Sequence, residues 1–342
     1  MARRVWWILA GMLTVAILMV MAGVRRVTTW TLAPAGAVVV RPFGSGRNAV
    51  GRAIGLDGRL YGPLAFAVGS HRMAIADTYQ ARILYRGTRE HTIAASKMMV
   101  EDVALTPSGA VLAADNRALA VWRVGEGSPR EVVAIGHQPG FTESIWRVEV
   151  GHSGQIYVEW VRFGHGTFAV GLSQYSRAGR FLRQLSWSEG GQPAGLKPIA
   201  SSPVKQAIRT FQLAPNGDVY VETPGGTPMQ RRIRIYQPDG RWLRNVTITS
   251  PVPILHSDLL GVSRQGWIYL GINLTIPQKA RIVVATGQGR ALANFPVGAV
   301  PVYAAVYGRV GPNGSLYLDQ STATRYRIVR WRPVGRQTWR WS

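Results

Sequence analysis

Val148-Glu149-Val150, then Gly151-His152-Ser153-Gly154-Gln155, then Ile156-Tyr157-Val158 is the stretch that decides how this chain folds. It reads as an apolar strand, a polar turn closing on Gly154, and a second strand around a tyrosine. The same phrase appears as Ala67-Val68…Ile75-Ala76-Asp77 and as Val103-Ala104-Leu105…Val111-Leu112-Ala113. Further on it appears as Phe211-Gln212-Leu213…Val219-Tyr220-Val221, Leu260-Gly261-Val262…Ile268-Tyr269-Leu270 and Tyr307…Leu316-Tyr317-Leu318. The turn glycines are Gly109, Gly154, Gly217, Gly266 and Gly314, with His71 in that place in the first copy. Strand-forming units at a spacing of about 40–50 residues stack on one another, because one unit cannot bury both of its faces alone.

Each copy continues into a second hairpin. The fourth is the clearest: Ile233-Arg234-Ile235-Tyr236, the turn Pro238-Asp239-Gly240, and the return Trp242-Leu243-Arg244-Asn245-Val246. Alternating apolar and polar residues around Asp-Gly turns are the pattern of half-buried hairpins. The expected fold is therefore all-β: a six-bladed β-propeller of four-stranded antiparallel blades near 62–95, 100–136, 145–188, 208–250, 257–297 and 304–341. The last outer strand is expected at Thr338-Trp339-Arg340-Trp341. A further strand at Ala37-Val38-Val39-Val40 is expected to close the ring, because an open sheet edge is a liability.

Ahead of the repeats, Val5 to Val24 runs without a charge between Arg3-Arg4 and Arg25-Arg26. At 1.5 Å per residue such a helix spans a hydrocarbon core of roughly 30 Å. The expected domains are a tail at 1–4, a transmembrane signal-anchor at 5–24, a juxtamembrane linker and possible closing strand at 25–41, and the propeller at 42–342. A cleaved signal peptide is the rival, with Val20-Met21-Ala22 as its cleavage site. The flanking arginines balance, so charge does not orient the segment. A short anchor ahead of one large domain gives the expectation of a single-pass cell-membrane protein with an extracytoplasmic ring.

The chain of 342 residues is 46% hydrophobic and 17% charged, the composition of a folded protein. It has no cysteine, which excludes disulfides, thiolate-bound metals and thiol catalysis. Lys and Arg number 40 against 17 acidic residues, a formal net charge of +23. Such a surface draws polyanions. The expected partners are the membrane, through the N-terminal helix, and an anionic polymer, a lipid headgroup or a protein; nucleic acid is not the expected partner.

Pro63 through Tyr85, with Ala76-Asp77-Thr78 and Arg82-Ile83, resembles an NHL repeat, and Phe43-Gly44 is similar to that family's lead-in. Ala114-Asp115 repeats the Ala-Asp element, and Arg-Ile recurs at Arg232-Ile233, Arg281-Ile282 and Arg327-Ile328. Trp160, Thr223 and Gln320 stand where the later copies depart from the Asp. The resemblance implies that the Asp-to-Arg pair supports the turn and third strand.

No P-loop, Gly-x-Ser-x-Gly elbow or His-based metal motif is present. Candidate ligand-binding residues at the channel mouth and on the loop-bearing face are Arg147, Arg209, Arg162, Phe163, His165 and His256. The chain is also distantly similar to gluconolactonase and paraoxonase-type propellers, which place calcium at the channel mouth. That resemblance implies Asp102, Glu143 and Asp258 as metal ligands. Long loops at 137–144, 160–167, 187–207, 223–231 and 271–279 fall on the same face, where binding usually resides. The leading expectation is a non-enzymatic binding scaffold without a cofactor. The alternatives are a calcium-dependent lactonase or esterase and a cytoplasmic-facing, RNA-binding NHL propeller.

Overall fold

A computed structural model describes residues 24–125, 127–137, 139–164, 167–185 and 211–341. The expected anchor at 5–24 lies outside them, except for Val24, which opens a strand. Among the described residues, no helix is long and apolar enough to cross a membrane. The only helical turn there is the 3₁₀ segment Thr78–Gln80.

Six four-stranded antiparallel sheets follow the six sequence copies. Their first strands are Ala65–Val68, Val100–Leu105, Thr142–Val150, Phe211–Leu213, Ser257–Val262 and Gly308–Val310. Each first strand contacts that of the next sheet, and the last contacts the first, so these strands form the inner wall of a ring. A small seventh sheet joins Ala53–Ile54, Leu60–Tyr61 and Val302–Tyr303, the last two in parallel. The count of six sheets from the repeats thus gains one that the repeat pattern did not announce.

The apolar alternation decides the packing. One hydrophobic cluster fills each junction between neighbouring sheets, including Val39, Phe66, Ile75, Tyr326 and Ile328 between the sixth and the first. Each such fully buried side chain contributes about 1.5–3 kcal/mol. On one face, all five predicted turn glycines have φ between +75° and +89°. Their N–H groups bond the carbonyl three residues back, as in Gly154 to Gly151 at 2.9 Å. Glycine adopts that conformation without a Cβ penalty. We call this the turn face and the opposite one the loop face.

The strand expected at 37–40 does close the ring, but it is longer and takes the outer place in the sixth sheet. Val24–Pro42 pairs along its length with Arg325–Trp341 and is the outer strand of the sixth sheet. The segment 25–41, expected as a linker and possible closing strand, is strand throughout. Thr338–Trp341 is not a separate fourth strand; it continues the third and pairs with Val24–Val27. Trp331 is level with Leu316, where the second strand leaves the turn, so residues beyond Trp331 run on past the turn face. There Trp30 meets Trp267 edge-on at 4.7 Å.

Candidate functional site

Inside the ring, the first strands bring charged side chains toward one another. Asp102 is fully buried, and four hydrogen bonds saturate its carboxylate. Val103 N–H reaches Oδ1 at 2.8 Å, Val148 N–H reaches Oδ2 at 2.9 Å, and Arg309 Nη2 donates to both oxygens at 2.8 and 2.9 Å. Arg309 also donates to Glu149 and, through Nε, to the Phe66 carbonyl at 2.8 Å. Burial acts against the Arg309 charge, but Asp102 and Glu149 outweigh it and hold the guanidinium above its usual range. Burial raises the Glu149 carboxyl despite the same arginine.

A second cluster lies closer to the ends where the first strands begin, centred on Asp258. Asp258 is 3% exposed and lies 3.9 Å from His256 Nδ1. Arg147 is buried, donates to the Phe211 carbonyl at 3.1 Å, and feels the charge of Asp258. Burial and the neighbouring Arg309 lower the Arg147 pKa. Glu222 accepts from Ser257 and lies 3.3 Å from Arg231 Nε; burial pushes it up to about 7, and Asp258 adds to the rise. Tyr307 stands edge-on to His256 at 6.5 Å, and burial and Asp258 raise its hydroxyl far above the ordinary value. Among the described residues Arg147 Nε, Glu222 Oε2, Asp258 Oδ2, His256 Nδ1 and Tyr307 OH have no hydrogen-bond partner. Buried polar atoms are normally paired, so five open positions from four sheets mark a site.

The end of each second strand explains how the site is positioned. Asn273 Oδ1 accepts from Leu255 N–H at 2.8 Å and His256 N–H at 3.0 Å, which fixes the loop carrying His256. Asp115 does the same for Met99 N–H at 2.8 Å, and Asp77 for Gly51 N–H at 2.7 Å. Asp77 also receives Arg82 Nε at 2.8 Å, the contact implied by the Asp-to-Arg pattern.

Of the sequence candidates, Arg147, His256, Asp258 and Asp102 line the channel. Glu143 and Arg162 face each other on a hairpin of two nine-residue strands, so 160–164 is strand and not loop. There Arg162 donates to Glu143, His137 lies 2.9 Å from Glu143, and Arg162 covers the Trp160 ring at 4.6 Å. Phe163 pairs with Thr142 on the same hairpin. Arg209, His165 and the segment 187–207 lie outside the described residues. The three proposed calcium ligands do not form a cage: Asp102 is saturated, and Glu143 is committed to Arg162 and His137. Among the described residues, no three His, Asp or Glu side chains cluster at metal-binding range. Glu222, Tyr307, Arg309 and Asn273 are not reached from the sequence; Asn273 stands one position past that of Asp115 and matches Asn116, whose N–H likewise bonds the carbonyl just ahead of the first strand.

No family model matches the chain, and no curated protein matches it. Solved structures do match. A gluconolactonase from Xanthomonas campestris is 13% identical, with 88% of this chain and 97% of that one covered and a TM-score of 0.51. A catalytically inactive virginiamycin B lyase from Staphylococcus aureus with quinupristin is 10% identical, with 89% and 99% covered and a TM-score of 0.50. The fold is a β-propeller. At such identities the likeness extends to the fold alone, and the propeller's own residues must carry any functional argument.

Proposed function

We propose that this chain is a six-bladed, NHL-like propeller that acts as a binding scaffold, held at the membrane by residues 5–24 with the ring outside the cytoplasm. Its ligand is a small anionic or polar group, or a protein segment carrying one, received at the channel mouth on the loop face. The observation that supports this reading is the set of five open hydrogen-bonding positions around Asp258. Donors and acceptors are both present, so a ligand with an anionic oxygen and a hydroxyl satisfies Arg147 and Asp258 together.

The test is thermal unfolding of the full chain in neutral detergent, with hydroxycarboxylates such as gluconate and with polyglutamate. Stabilisation by an anion that is lost in His256→Ala supports the reading, because binding to the native state raises its stability. No stabilisation by any of them, or one unchanged in His256→Ala, rejects it.

A second reading has one observation behind it: His256, with Asp258 at 3.9 Å from its Nδ1 and the open Tyr307 hydroxyl in the same cluster, has the parts of a general base. Lactone or aryl-ester hydrolysis independent of calcium, and lost in His256→Ala, would favour it.

A further inference from the structure

On the face opposite that site, a cavity of about 280 Å³ opens between the second and third sheets. We propose that it binds a phosphate group. Its lining includes Arg123, Arg177 and His152, the hydroxyls of Ser108 and Ser153, and an apolar floor at Leu112 and Ile156. Among the described residues, no carboxylate lines it. Among the described residues neither Arg123 nor Arg177 has an ion-pair partner, whereas Arg309 inside the channel has two. Two guanidiniums offering forked donors into one concavity match the several oxygens of a phosphate better than a single carboxylate. The volume is near the lower end of the roughly 300–1,000 Å³ of ligand pockets, which suits a phosphate with the first atoms esterified to it.

The local fold builds this arrangement. Gly154 has φ +88°, and a Cβ there would stand 3.2 Å from Arg177 Cδ, so the bare glycine gives the Arg177 stem its seat. Arg72, from the first sheet, donates to the Ser108 carbonyl at 2.6 Å and so holds the turn that carries Ser108. The Ser108 hydroxyl shares a hydrogen bond of 2.9 Å with Thr106, leaving the hydroxyl at the lip of the turn. The phosphate has two sources that the geometry does not separate: a soluble phosphorylated molecule or a phospholipid headgroup. The second is suggested by the terminal strands, which run past this same face at Trp30 and Trp267.

Calorimetric titration of the full chain in neutral detergent tests the proposal. The probes are inorganic phosphate, and short-chain phosphatidylglycerol against phosphatidylcholine of equal chain length. Saturable binding of inorganic phosphate identifies a soluble source; binding of phosphatidylglycerol alone identifies the headgroup. In either case Arg123→Gln with Arg177→Gln should weaken binding about tenfold or more, the loss expected for charge-assisted hydrogen bonds. Arg264→Gln with Arg290→Gln removes the same charge from exposed positions elsewhere on the turn face and should change it less than about threefold. Circular dichroism checks that both variants are folded. Absence of binding by every probe at about 10 mM overturns the proposal. Equal weakening in the two double variants also overturns it, because the attraction would then be diffuse.

Discussion

The channel and the turn face hold arginine in opposite ways. Arg309 is buried and paired twice, with Asp102 and Glu149, while Arg123 and Arg177 are exposed and unpaired. In the channel the guanidinium is a structural joint: through Asp102 and the Phe66 carbonyl it ties the sixth sheet to the second and the first. On the turn face it contributes field and donors but no joint. A net charge of +23 is therefore not one property spread over the molecule. Around Arg309 it is neutralised locally, whereas at Arg147, Arg123 and Arg177 it is left without an ion pair among the described residues.

The sharpest way to break this contrast is to remove one partner of the inner pair. Asp102→Ala leaves Arg309 buried against Glu149 alone and strips the Val103 and Val148 N–H groups of their acceptor. Losing one member of a buried ion pair costs about 3–5 kcal/mol. Denaturant unfolding of the full chain in neutral detergent should show that loss. A variant within about 1 kcal/mol of the parent would mean that the pair is not the joint described here.

The ring was legible in sequence because its physics is periodic. Turn glycines, apolar alternation and Asp-Gly hairpins each report a local requirement, and the repetition of those requirements places all six copies. The closing strand is half legible: Ala37 to Val40 reads as a strand, but residues 24–36 do not, because their pairing with Trp331–Trp341 is set by a partner about 300 residues away. The site was less legible still. The resemblance to calcium-bearing propellers implies Asp102 as a metal ligand, because its carboxylate stands near the start of an inner strand. Only the geometry reveals that Arg309, 207 positions later, takes it up. Glu222 and Tyr307 belong to different sheets and carry no local motif; their nearness to Asp258 is a product of ring closure. Asn273 is no easier to read, since Asp77 and Asp115 share one repeat position while Asn273 lies one residue past it.

A middle-sized effect concerns Glu222 and Asp319, which burial raises together with Asp77 and Glu149. Glu222 and Asp319 are each pushed up to about 7, from 4.5 and 3.8, chiefly by desolvation. A raised carboxyl pKa means that the native state binds a proton more tightly than the unfolded chain does. Stability therefore falls as pH rises from about 4.5 to about 7 and levels off above that. The melting temperature should accordingly rise on acidification from pH 7.5 to 5. Glu222→Gln should reduce that rise: near parity with the parent at pH 5 and greater stability than the parent at pH 8. Asp319, with the likewise raised Asp77 and Glu149, keeps the remainder of the slope. An identical pH profile for parent and variant would show that Glu222 is not desolvated as the channel geometry requires.

The smallest effect belongs to the other side of the contrast. Arg123 and Arg177 hold nothing together, so Arg123→Gln with Arg177→Gln should leave unfolding stability within about 0.5 kcal/mol, the range of exposed substitutions. The sign should be slightly favourable at low salt, because neighbouring like charges around the cavity repel one another. Raising ionic strength from about 0.01 to 0.15 M shortens the Debye length from roughly 30 to 8 Å, and the difference should vanish. A loss comparable to that of Asp102→Ala would make these arginines joints as well. The division between a neutralised Arg309 and an available face would then fail at its weaker end, and the case for a phosphate in the cavity would lose its free donors.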